Sequence, residues 1–347
     1  MKLLLVSPKV KEANGGIAVW TNMFLNATEN TDIEASVLDI SMIGRRLKNG
    51  SAKRSIFDEI KRTRRIFRDL RRMLKTEKYD VAHINTSLGK FGIARDYIIA
   101  KKIKKKSPYT KIVVHYHCDI GYQIKSKRSK KYLMRLARLA DENIVLCKSS
   151  EKYLSDLGVS SRVLPNFISD DLIKETRKVV SEKIERAFFV GRVQRAKGVM
   201  EIISLAKDFQ DIEFRLAGAI SKEVLELELP KNISLLGPMA HDDVICEMDD
   251  ADIFIFPSHT EGFSVALLES MARGLPAIAT DVGANADMLS DGCGEIVSAR
   301  DIEGMRAAIL RIMDKDIRGS VSRRLAQKVR DEYSISRVIE RLREIYC

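Results

Sequence analysis

Short runs of β-branched and aromatic residues alternate with longer amphipathic stretches along almost the whole chain of 347 residues. The short runs predict strands at residues 2–7, 33–38, 80–85, 111–117, 142–147, 186–190, 212–217, 233–235, 252–257, 276–280 and 295–297. The stretches between them are long enough for helices. Strands that alternate with helices pair in parallel, and the helices then cover both faces of the sheet. The sequence therefore predicts an α/β protein with doubly wound parallel sheets.

The alternation runs twice, with a break near Leu164-Pro165-Asn166-Phe167. A chain of this length exceeds one ordinary core and suits two domains. We therefore predict two Rossmann-like domains, at residues 1–167 and 168–333. Because ligands of such sheets bind beyond the carboxyl ends of the strands, the predicted site is the cleft between the two domains.

Composition excludes several classes of protein. Apolar residues make up 45% of the chain and charged residues 31%, which is typical of a globular protein. No apolar run approaches the roughly 18 residues that span a bilayer. The five cysteines (118, 147, 246, 293 and 347) lack paired spacing, so neither a disulfide framework nor a zinc site is predicted, and a reducing cytoplasm is expected. The dinucleotide fingerprint and the P-loop motif are both absent from the sequence.

Positive charge is concentrated in the first half of the chain. Residues 1–167 hold 35 Lys and Arg against 16 Asp and Glu, a net charge of +19, whereas residues 168–347 hold 25 against 32, a net charge of −7. Such a domain suits a polyanion or an anionic membrane, although a merely solvated basic surface is an alternative. A nucleic-acid-binding protein is the other class that this charge suggests. The basic stretch, however, has little aromatic interleaving and no recognisable binding motif, so no nucleic-acid partner is predicted.

Residues 56–74 combine basic side chains with apolar ones at roughly helical spacing. A basic amphipathic helix is typical of attachment to a membrane surface. The alternative is a helix whose apolar stripe packs on the core and whose cationic face is solvated. Further basic clusters lie at 101–106 and 125–131.

Two short segments carry residues suited to phosphate. Asn14-Gly15-Gly16-Ile17 follows the first strand and opens a helix, so its backbone amides and the helix N-terminus can face an anion. An ordinary tight turn is the alternative. Arg192 lies where the strand at 186–190 ends, and Lys197 stands at the start of the next helix. Together these cations can clamp a diphosphate, or they can be solvated loop residues.

The third segment carries two carboxylates. Glu261-Gly262-Phe263-Ser264 leads into an almost wholly apolar helix that Glu269 interrupts. A carboxylate in such a helix needs polar partners, such as ligand hydroxyls, because burying it alone is costly. The amides of Gly262 to Ser264 can hold a phosphate or sugar oxygen at the helix N-terminus. Alternatively, Glu261 caps the helix and Glu269 pairs with an arginine.

Asp250-x-Asp252 matches the bare D-x-D pattern of some metal-dependent sugar transferases. The pair lies where a helix gives way to a buried strand, so we interpret it as turn chemistry. No metal site is predicted.

Glu261 and Glu269 form an E-x₇-E pattern inside PSHTEGFSVALLESMARGLPAIATDVG. This segment resembles the donor-binding signature of family 4 retaining glycosyltransferases, which have the GT-B fold. The resemblance extends over the chain, because NGGIAVW resembles the family's glycine loop, VGRVQRAKG its diphosphate clamp and VVHYHCD the segment whose histidine lies near the transferred sugar. Two positions depart from the family pattern. Asp287 replaces the usual glutamate after Gly283, and Asp119 follows His117 at two residues rather than one.

The resemblance implies a role for each candidate residue. Glu269 is expected to bind the ribose, Glu261 a hydroxyl of the donor sugar, and Arg192 and Lys197 the leaving diphosphate. His117 is expected to orient the sugar. His115 is the nearer alternative, but we expect alternation along the strand to point it to the opposite face. The remaining expected donor contacts are Gly15, Gly16, Gly262, Phe263 and Ser264.

The resemblance also implies the reaction. The first domain is expected to bind a saccharide or lipid-linked saccharide acceptor, and the second a nucleotide-sugar, with a uridine donor as the commonest case. No cofactor or divalent cation is expected, and a C-terminal helix at 334–347 is expected to return to the first domain. Cell-surface polysaccharide synthesis at the inner face of the cell membrane is the expected setting. An epimerase or phosphorylase of the same fold is the nearer alternative, although no pyridoxal lysine is identifiable.

Overall fold

A computed structural model describes residues 1–9, 16–41, 56–89, 92–174 and 180–347. The chain divides into two compact units, and each has its own sheet. Unit 1 comprises Met1–Pro165 with Ile339–Cys347, and unit 2 comprises Asn166–Val338. The sequence-based boundary after Phe167 lies two residues beyond the division at Pro165.

The sheet of unit 1 has six parallel strands in the order β2-β1-β3-β4-β5-β6. The strands are β1 (Lys2–Ser7), β2 (Glu34–Asp39), β3 (Val81–Thr86), β4 (Lys111–Tyr116), β5 (Glu142–Val145) and β6 (Arg162–Val163). Its helices are α1 (Gly16–Thr28), α2 (Ile56–Thr76), α3 (Gly92–Lys106), α4 (Ile120–Gln123), α5 (Lys127–Ala137) and α6 (Lys148–Ser155). The two-residue strand β6 and the helices α4 and α6 were not predicted, because segments this short carry little periodic signal.

The sheet of unit 2 also has six parallel strands, in the order β12-β11-β10-β7-β8-β9. The strands are β7 (Arg186–Val190), β8 (Glu213–Ala217), β9 (Ile233–Gly237), β10 (Ile253–Phe256), β11 (Ala277–Thr280) and β12 (Glu295–Val297). The helices are α7 (Val199–Asp208), α8 (Lys222–Leu225), α9 (His241–Asp250), α10 (Val265–Ala272), α11 (Asn285–Met288), α12 (Ile302–Ile312), α13 (Lys315–Lys328) and α14 (Ile335–Tyr346).

The central strands are buried on both faces, as their continuous apolar runs require. Every residue of β3, β10 and β11 is buried. In unit 1, one face of the sheet carries the main apolar core, which includes Leu4, Ile84, Val114 and Tyr116. The opposite face carries the polar side chains described below.

Helix α2 is the basic amphipathic segment found in the sequence. Ile66 and Leu70 are buried in the core, and Phe67, Met73 and Leu74 pack against it. Its cations are largely exposed, and two apolar residues in its first turns, Phe57 and Ile60, are 84% and 45% exposed. The helix thus packs on the core through one apolar stripe. Its basic face and the two apolar residues of its first turns remain exposed to solvent. Within the described ranges, no helix is both long and apolar enough to cross a bilayer.

Helix α14 starts in unit 2, and from Ile339 onward the chain belongs to unit 1. Leu342, Ile345 and Tyr346 are buried there. An Arg341 guanidinium N–H donates to the carbonyl of Val163 at 2.9 Å, and Arg343 pairs with Asp32. The final residues are therefore held by unit 1 through both apolar and polar contacts.

Candidate functional site

The loops after β7 and β10 bring two predicted site residues together in unit 2. Lys197 Nζ lies 2.5 Å from Glu261 Oε1, although 64 residues separate them. The side chains are 20% and 12% exposed, so the ion pair is mostly shielded from water. A partly buried ion pair of this kind places a cation and a hydrogen-bond acceptor side by side at the sheet edge.

A glycine allows the Lys197 turn to approach β10. The turn Arg195–Lys197 ends at Gly198, whose φ of 77° lies in the left-handed region. A Cβ at Gly198 would lie only 2.1 Å from the carbonyl oxygen of Pro257, so a larger residue cannot fit. The amide of His259 donates to the carbonyl of Ala196 at 3.1 Å, which joins the two loops.

Ser264 is the N-cap residue of helix α10, and its Oγ accepts the amide N–H of Leu267 at 3.1 Å. The alternative that Glu261 caps this helix is therefore wrong, because the Ser264 hydroxyl already does so. The loop before the helix is held by Gly283, where a Cβ would lie 2.6 Å from the carbonyl oxygen of Gly262. Phe263 packs with its ring centroid 6.2 Å from that of Tyr333. A role of the amides of Gly262 to Ser264 in donor binding stays a prediction.

Glu269 lies on α10 among buried neighbours, with its side chain 14% exposed. Its Oε1 is 2.9 Å from Nε2 of His241, the first residue of α9. The hydrogen bond from His241 to Glu269 is the main cause that raises the pKa of His241 above its ordinary value. The partner of Glu269 is thus a histidine rather than the arginine of the alternative interpretation. Nothing in the sequence pattern singled out His241.

Arg192 follows β7 and is exposed. No ion pair to Arg192 occurs within the described parts of the chain. Its guanidinium is therefore available at the carboxyl edge of the second sheet, on the same strand-to-helix connection as Lys197.

Asp252 is engaged in holding the start of β7. Its Oδ2 accepts the amide N–H groups of Glu185 and Arg186 at 2.8 and 3.0 Å, and the hydroxyl of Ser181 donates to Oδ1. Among the residues that the structure describes, no group of three or more His, Cys, Asp or Glu side chains is placed to hold a metal ion. The hydrogen bonds of Asp252 with Ser181, Glu185 and Arg186 support a structural interpretation of Asp250-x-Asp252.

Three histidines gather on one face of the sheet in unit 1. His83 lies in β3, His115 lies in β4, and His117 directly follows β4. The rings of His115 and His117 are 4.0 Å apart between centroids, and Trp20 of α1 packs within 5.6 Å of all three rings. The expectation that His115 faces away from His117 is wrong, because side chains two apart in a strand share one face.

Asn85 links this cluster. Its Oδ1 is 3.0 Å from Nε2 of His83 and 2.8 Å from Nε2 of His117. Burial lowers the pKa of His83 to about 3, so its ring is neutral at ordinary pH. Burial, followed by the neighbouring His117 and His83, lowers the pKa of His115 well below its ordinary value.

A cavity of about 240 Å³ opens in unit 1 at the carboxyl ends of β1, β2 and β3. Its lining is about half polar and half apolar, and the polar residues include Ser41, Glu59, Arg62, Thr63, Asn85 and Arg95. Gly16 begins α1 nearby, and a Cβ there would meet nothing within 4 Å. Gly15 lies outside the described residues. The position of the cavity is the one where ligands of parallel sheets bind.

The residues that depart from the family pattern have local roles. Asp119 caps α4, since its Oδ1 accepts the amide of Tyr122 at 2.8 Å, and Ser149 Oγ donates to its Oδ2. Asp287 lies in α11, and its carbonyl accepts the hydroxyl of Ser290.

Two family models match adjoining parts of the chain. The model described as Glycosyltransferase Family 4 matches residues 15–172, and the model described as Glycosyl transferases group 1 matches residues 172–332. Between them they span nearly the whole chain. Neither match supports the epimerase or nucleic-acid-binding alternatives.

Curated relatives match most of the chain at moderate identity. An uncharacterized 41.2 kDa protein in the cps region of Klebsiella pneumoniae is 26% identical over 336 residues, which are 90% of this chain and 89% of that protein. The UDP-Gal:alpha-D-GlcNAc-diphosphoundecaprenol alpha-1,3-galactosyltransferase of Escherichia coli is 25% identical over 316 residues, which are 80% of this chain and 77% of the enzyme.

Solved structures share the fold. Sucrose-phosphate synthase from Thermosynechococcus elongatus matches with a TM-score of 0.76 at 16% identity, over 99% of this chain and 98% of that one. Anabaena Alr3699/HepE, solved in complex with UDP-glucose, matches with a TM-score of 0.72 at 14% identity, over 99% of both chains. The predicted GT-B fold, with two Rossmann-like domains, is confirmed.

The paired parallel sheets, the matches to both family models and the similarity to these transferases agree on one classification. The chain belongs to the family 4 glycosyltransferases.

Proposed function

We propose that this glycosyltransferase moves a sugar, with retention of configuration and without a metal ion, from a nucleotide-sugar to a saccharide or lipid-linked saccharide acceptor. The setting we propose is cell-surface polysaccharide synthesis. The observation that carries the proposal is the contact of Lys197 with Glu261 at the edge of the second sheet.

That contact suits a sugar diphosphate. In a nucleotide-sugar the second phosphate is bonded directly to the sugar, so a phosphate oxygen and sugar hydroxyls lie side by side. Lys197 offers a cation for the phosphate, and Glu261 offers acceptor oxygens for the hydroxyls. Arg192 supplies a second cation with a planar fork of donors on the same connection.

Glu269 suits the ribose. Its carboxylate is held by His241 through Oε1, which orients the side chain. A carboxylate accepts hydrogen bonds from two adjacent hydroxyls, as the ribose offers. We assign Glu269 to the ribose and Glu261 to the donor sugar, as the resemblance implies.

Fixed positive charge is what the departure of the diphosphate requires. Negative charge grows on the leaving group, and preorganised cations stabilise it more in the transition state than in the ground state. Arg192 and Lys197 meet this need without a metal ion. We propose that the acceptor attacks on the face from which the diphosphate departs, with His117 orienting the sugar.

The cavity of unit 1 supports acceptor binding. Its hydroxyl, amide, carboxylate and guanidinium groups match the donors and acceptors of a saccharide. The similar Escherichia coli enzyme is named for a UDP-sugar and a diphosphoundecaprenol acceptor. The exposed basic face of α2 supports attachment to the inner face of the cell membrane.

The deciding experiment supplies radiolabelled UDP-, GDP- and ADP-sugars with an undecaprenyl diphosphate-linked saccharide, with and without EDTA. We expect a labelled lipid product from one donor, undiminished activity in EDTA, and the donor's anomeric configuration in the product by NMR. Inversion of the anomeric centre would refute retention. A strict requirement for added Mg²⁺ or Mn²⁺ would refute the metal-free site and return attention to Asp250-x-Asp252. Release of a free epimer would instead favour an epimerase.

A further inference from the structure

A chain of hydrogen bonds between buried side chains leads from helix α1 to His117. Thr21 Oγ1 donates to the carbonyl of Ile17 at 2.7 Å and lies 2.5 Å from Ser7 Oγ. Asn85 Nδ2 is 3.0 Å from Ser7 Oγ, and on its other side Asn85 Oδ1 is 2.8 Å from Nε2 of His117. Ser7 and Thr21 are 0% exposed and Asn85 is 1% exposed, so bulk water reaches none of these three side chains.

The carbonyl of Ile17 gives the chain its direction. Two oxygens at 2.7 Å repel each other unless a proton lies between them, so the single proton of the Thr21 hydroxyl points to this carbonyl. The Ser7 hydroxyl must then donate to Thr21 Oγ1, which leaves Ser7 Oγ as the acceptor for an N–H of Asn85. The amide of Asn85 is therefore held with its nitrogen toward Ser7 and its oxygen toward the histidines.

The orientation of this amide fixes which ring nitrogen of each histidine is protonated. An amide oxygen only accepts hydrogen bonds, so Nε2 of His83 and Nε2 of His117 both carry a proton. Tyr346 Oη, 2.7 Å from Nδ1 of His83, does not set this direction, because a hydroxyl can donate to that nitrogen or accept from it. The tautomers are thus decided at the α1 end of the chain.

We propose that Asn85, held by Ser7 and Thr21, is the positioning residue of His117: it keeps Nε2 protonated and fixes the orientation of the ring. The functional part of this inference rests on the role proposed above for His117, which is to orient the sugar. With its Nε2 proton engaged by Asn85, a neutral His117 ring has its lone pair on Nδ1, which is then an acceptor rather than a donor. Asn85 also lines the cavity of unit 1, so one side chain borders both His117 and the cavity proposed to bind the acceptor.

Removal of the Thr21 hydroxyl should reverse the chain. In Thr21→Val the Ser7 hydroxyl loses its acceptor, and Asn85 is its other side-chain neighbour in the described structure. The Asn85 amide should then turn over, so that its oxygen accepts from Ser7 and its nitrogen donates to Nε2 of both histidines. Both rings would become protonated at Nδ1, and the Tyr346 hydroxyl would accept from His83.

The matched control is Thr28→Val. Thr28 is another buried threonine of α1, and its hydroxyl also donates to the carbonyl four residues earlier, that of Phe24, at 2.8 Å. It lies seven residues beyond Thr21, about 10 Å along the helix axis. Both valine variants lose the same hydroxyl bond from the same helix, whereas Thr21→Ser keeps the hydroxyl and should keep the wild-type tautomer.

Two measurements give the outcome. Long-range ¹H–¹⁵N correlation of histidine-labelled protein reports the tautomer of each of the five histidines, and His117→Gln identifies the His117 signals. We expect Nε2–H at His117 in the wild type, Thr28→Val and Thr21→Ser, and Nδ1–H in Thr21→Val. We also expect Thr21→Val to lower kcat about tenfold relative to Thr28→Val, with KM for the donor changed less than about twofold.

Retention of Nε2–H at His117 in Thr21→Val would overturn the proposal. If that variant does not fold, Ser7→Ala decides instead: it removes the acceptor of Asn85 Nδ2 and should give mixed tautomers, so Nε2–H alone would contradict the proposal. A changed tautomer with equal kcat in Thr21→Val and Thr28→Val would refute the positioning role. The NMR measurement needs no turnover. It therefore decides on the network even if the wild type fails to transfer sugar, an outcome that would refute the proposed function instead.

Discussion

Side-chain pairing decides what the charged residues of unit 2 can do. Lys197 and Glu261 neutralise each other, and Glu269 holds His241, so neither carboxylate is an isolated buried charge. Isolated buried charges are costly, and these partners remove that cost before any ligand binds. In the proposed function, a bound nucleotide-sugar exchanges some of these contacts for its own phosphate and hydroxyl groups.

Glu269→Ala should weaken the binding of the nucleoside diphosphate by about 1.5–3 kcal/mol, because the ribose loses a charged acceptor. Isothermal titration calorimetry measures this. His241→Gln is the matched control, since it changes the partner but keeps the carboxylate. Glu261→Ala should spare the free nucleotide and reduce turnover of the whole donor. If the two alanine variants bind the nucleotide alike, the division of roles between the carboxylates is wrong.

The His241–Glu269 contact should make stability depend on pH. The folded state raises the pKa of His241 above its ordinary value of 6.5, mainly through the hydrogen bond to Glu269. The pair therefore contributes stability fully below the unfolded pKa, and this contribution is lost as pH rises through the raised folded pKa. Urea denaturation of the wild type and His241→Gln should differ more near pH 5.5 than near pH 8.5. A difference that grows with pH would contradict the assignment.

At the scale of elements, the candidate site is built where strands end and loops approach one another closely. Gly198 and Gly283 each carry a positive φ and each face the carbonyl oxygen of another loop. They let the connections after β7 and β11 pack against the segment after β10. The cap by Ser264 then fixes where α10 begins, and with it the position of Glu269 along the helix.

Gly198→Ala should destabilise the protein by roughly 2–4 kcal/mol, from the strained backbone and the overlap with Pro257 together. Gly237→Ala is the control, because Gly237 has a similar φ of 72° but no atom within 4 Å of a Cβ. That variant should lose only about 1–2 kcal/mol. Urea denaturation midpoints give both values. Equal losses would show that the contact with Pro257 is unimportant.

At the scale of the whole molecule, the two halves of the sequence differ in charge by sign as well as by size. The net charge of +19 in residues 1–167 arises largely from the helices of unit 1. Most of the Lys and Arg side chains of α2 are exposed. The packed stripe of α2 accounts for its buried apolar residues, but it does not account for the exposed Phe57 and Ile60. An anionic membrane surface would contact both features.

We expect the protein to bind vesicles that contain anionic lipid, to be released by salt, and to bind neutral vesicles poorly. Replacing Arg64, Arg71 and Arg72 by Gln should weaken binding on the order of a hundredfold, at roughly 1 kcal/mol for each cation near the surface. Replacing Lys101, Lys105 and Lys106 on α3 by Gln removes the same charge from another helix and is the control. Cosedimentation measures both. Equal losses of vesicle binding in the α2 and α3 variants would show that net charge, rather than α2 itself, determines binding.

Much of the architecture follows from local pattern. The apolar runs predicted β1 and β7 with their observed bounds, because burial on both faces of a parallel sheet requires uninterrupted apolar side chains. The E-x₇-E segment indicated α10 and both carboxylates, since a charge inside an apolar helix is conspicuous in the sequence alone. Short elements such as β6 and α6 were not predicted, because segments of so few residues do not show a clear periodic pattern.

The sequence by itself determined the fold class, the family and the residue types available for the donor site. Only the tertiary structure decided their partners: Lys197 with Glu261, His241 with Glu269, and Tyr346 with His83. It also placed His115 beside His117 and showed that Ser264, not Glu261, caps α10. The physical reason is the sequence separation over which each kind of information extends. Periodicity reports whether a residue is buried, through neighbours a few positions away, whereas a hydrogen bond or ion pair depends on which distant loops and strands the folded chain brings within about 3 Å.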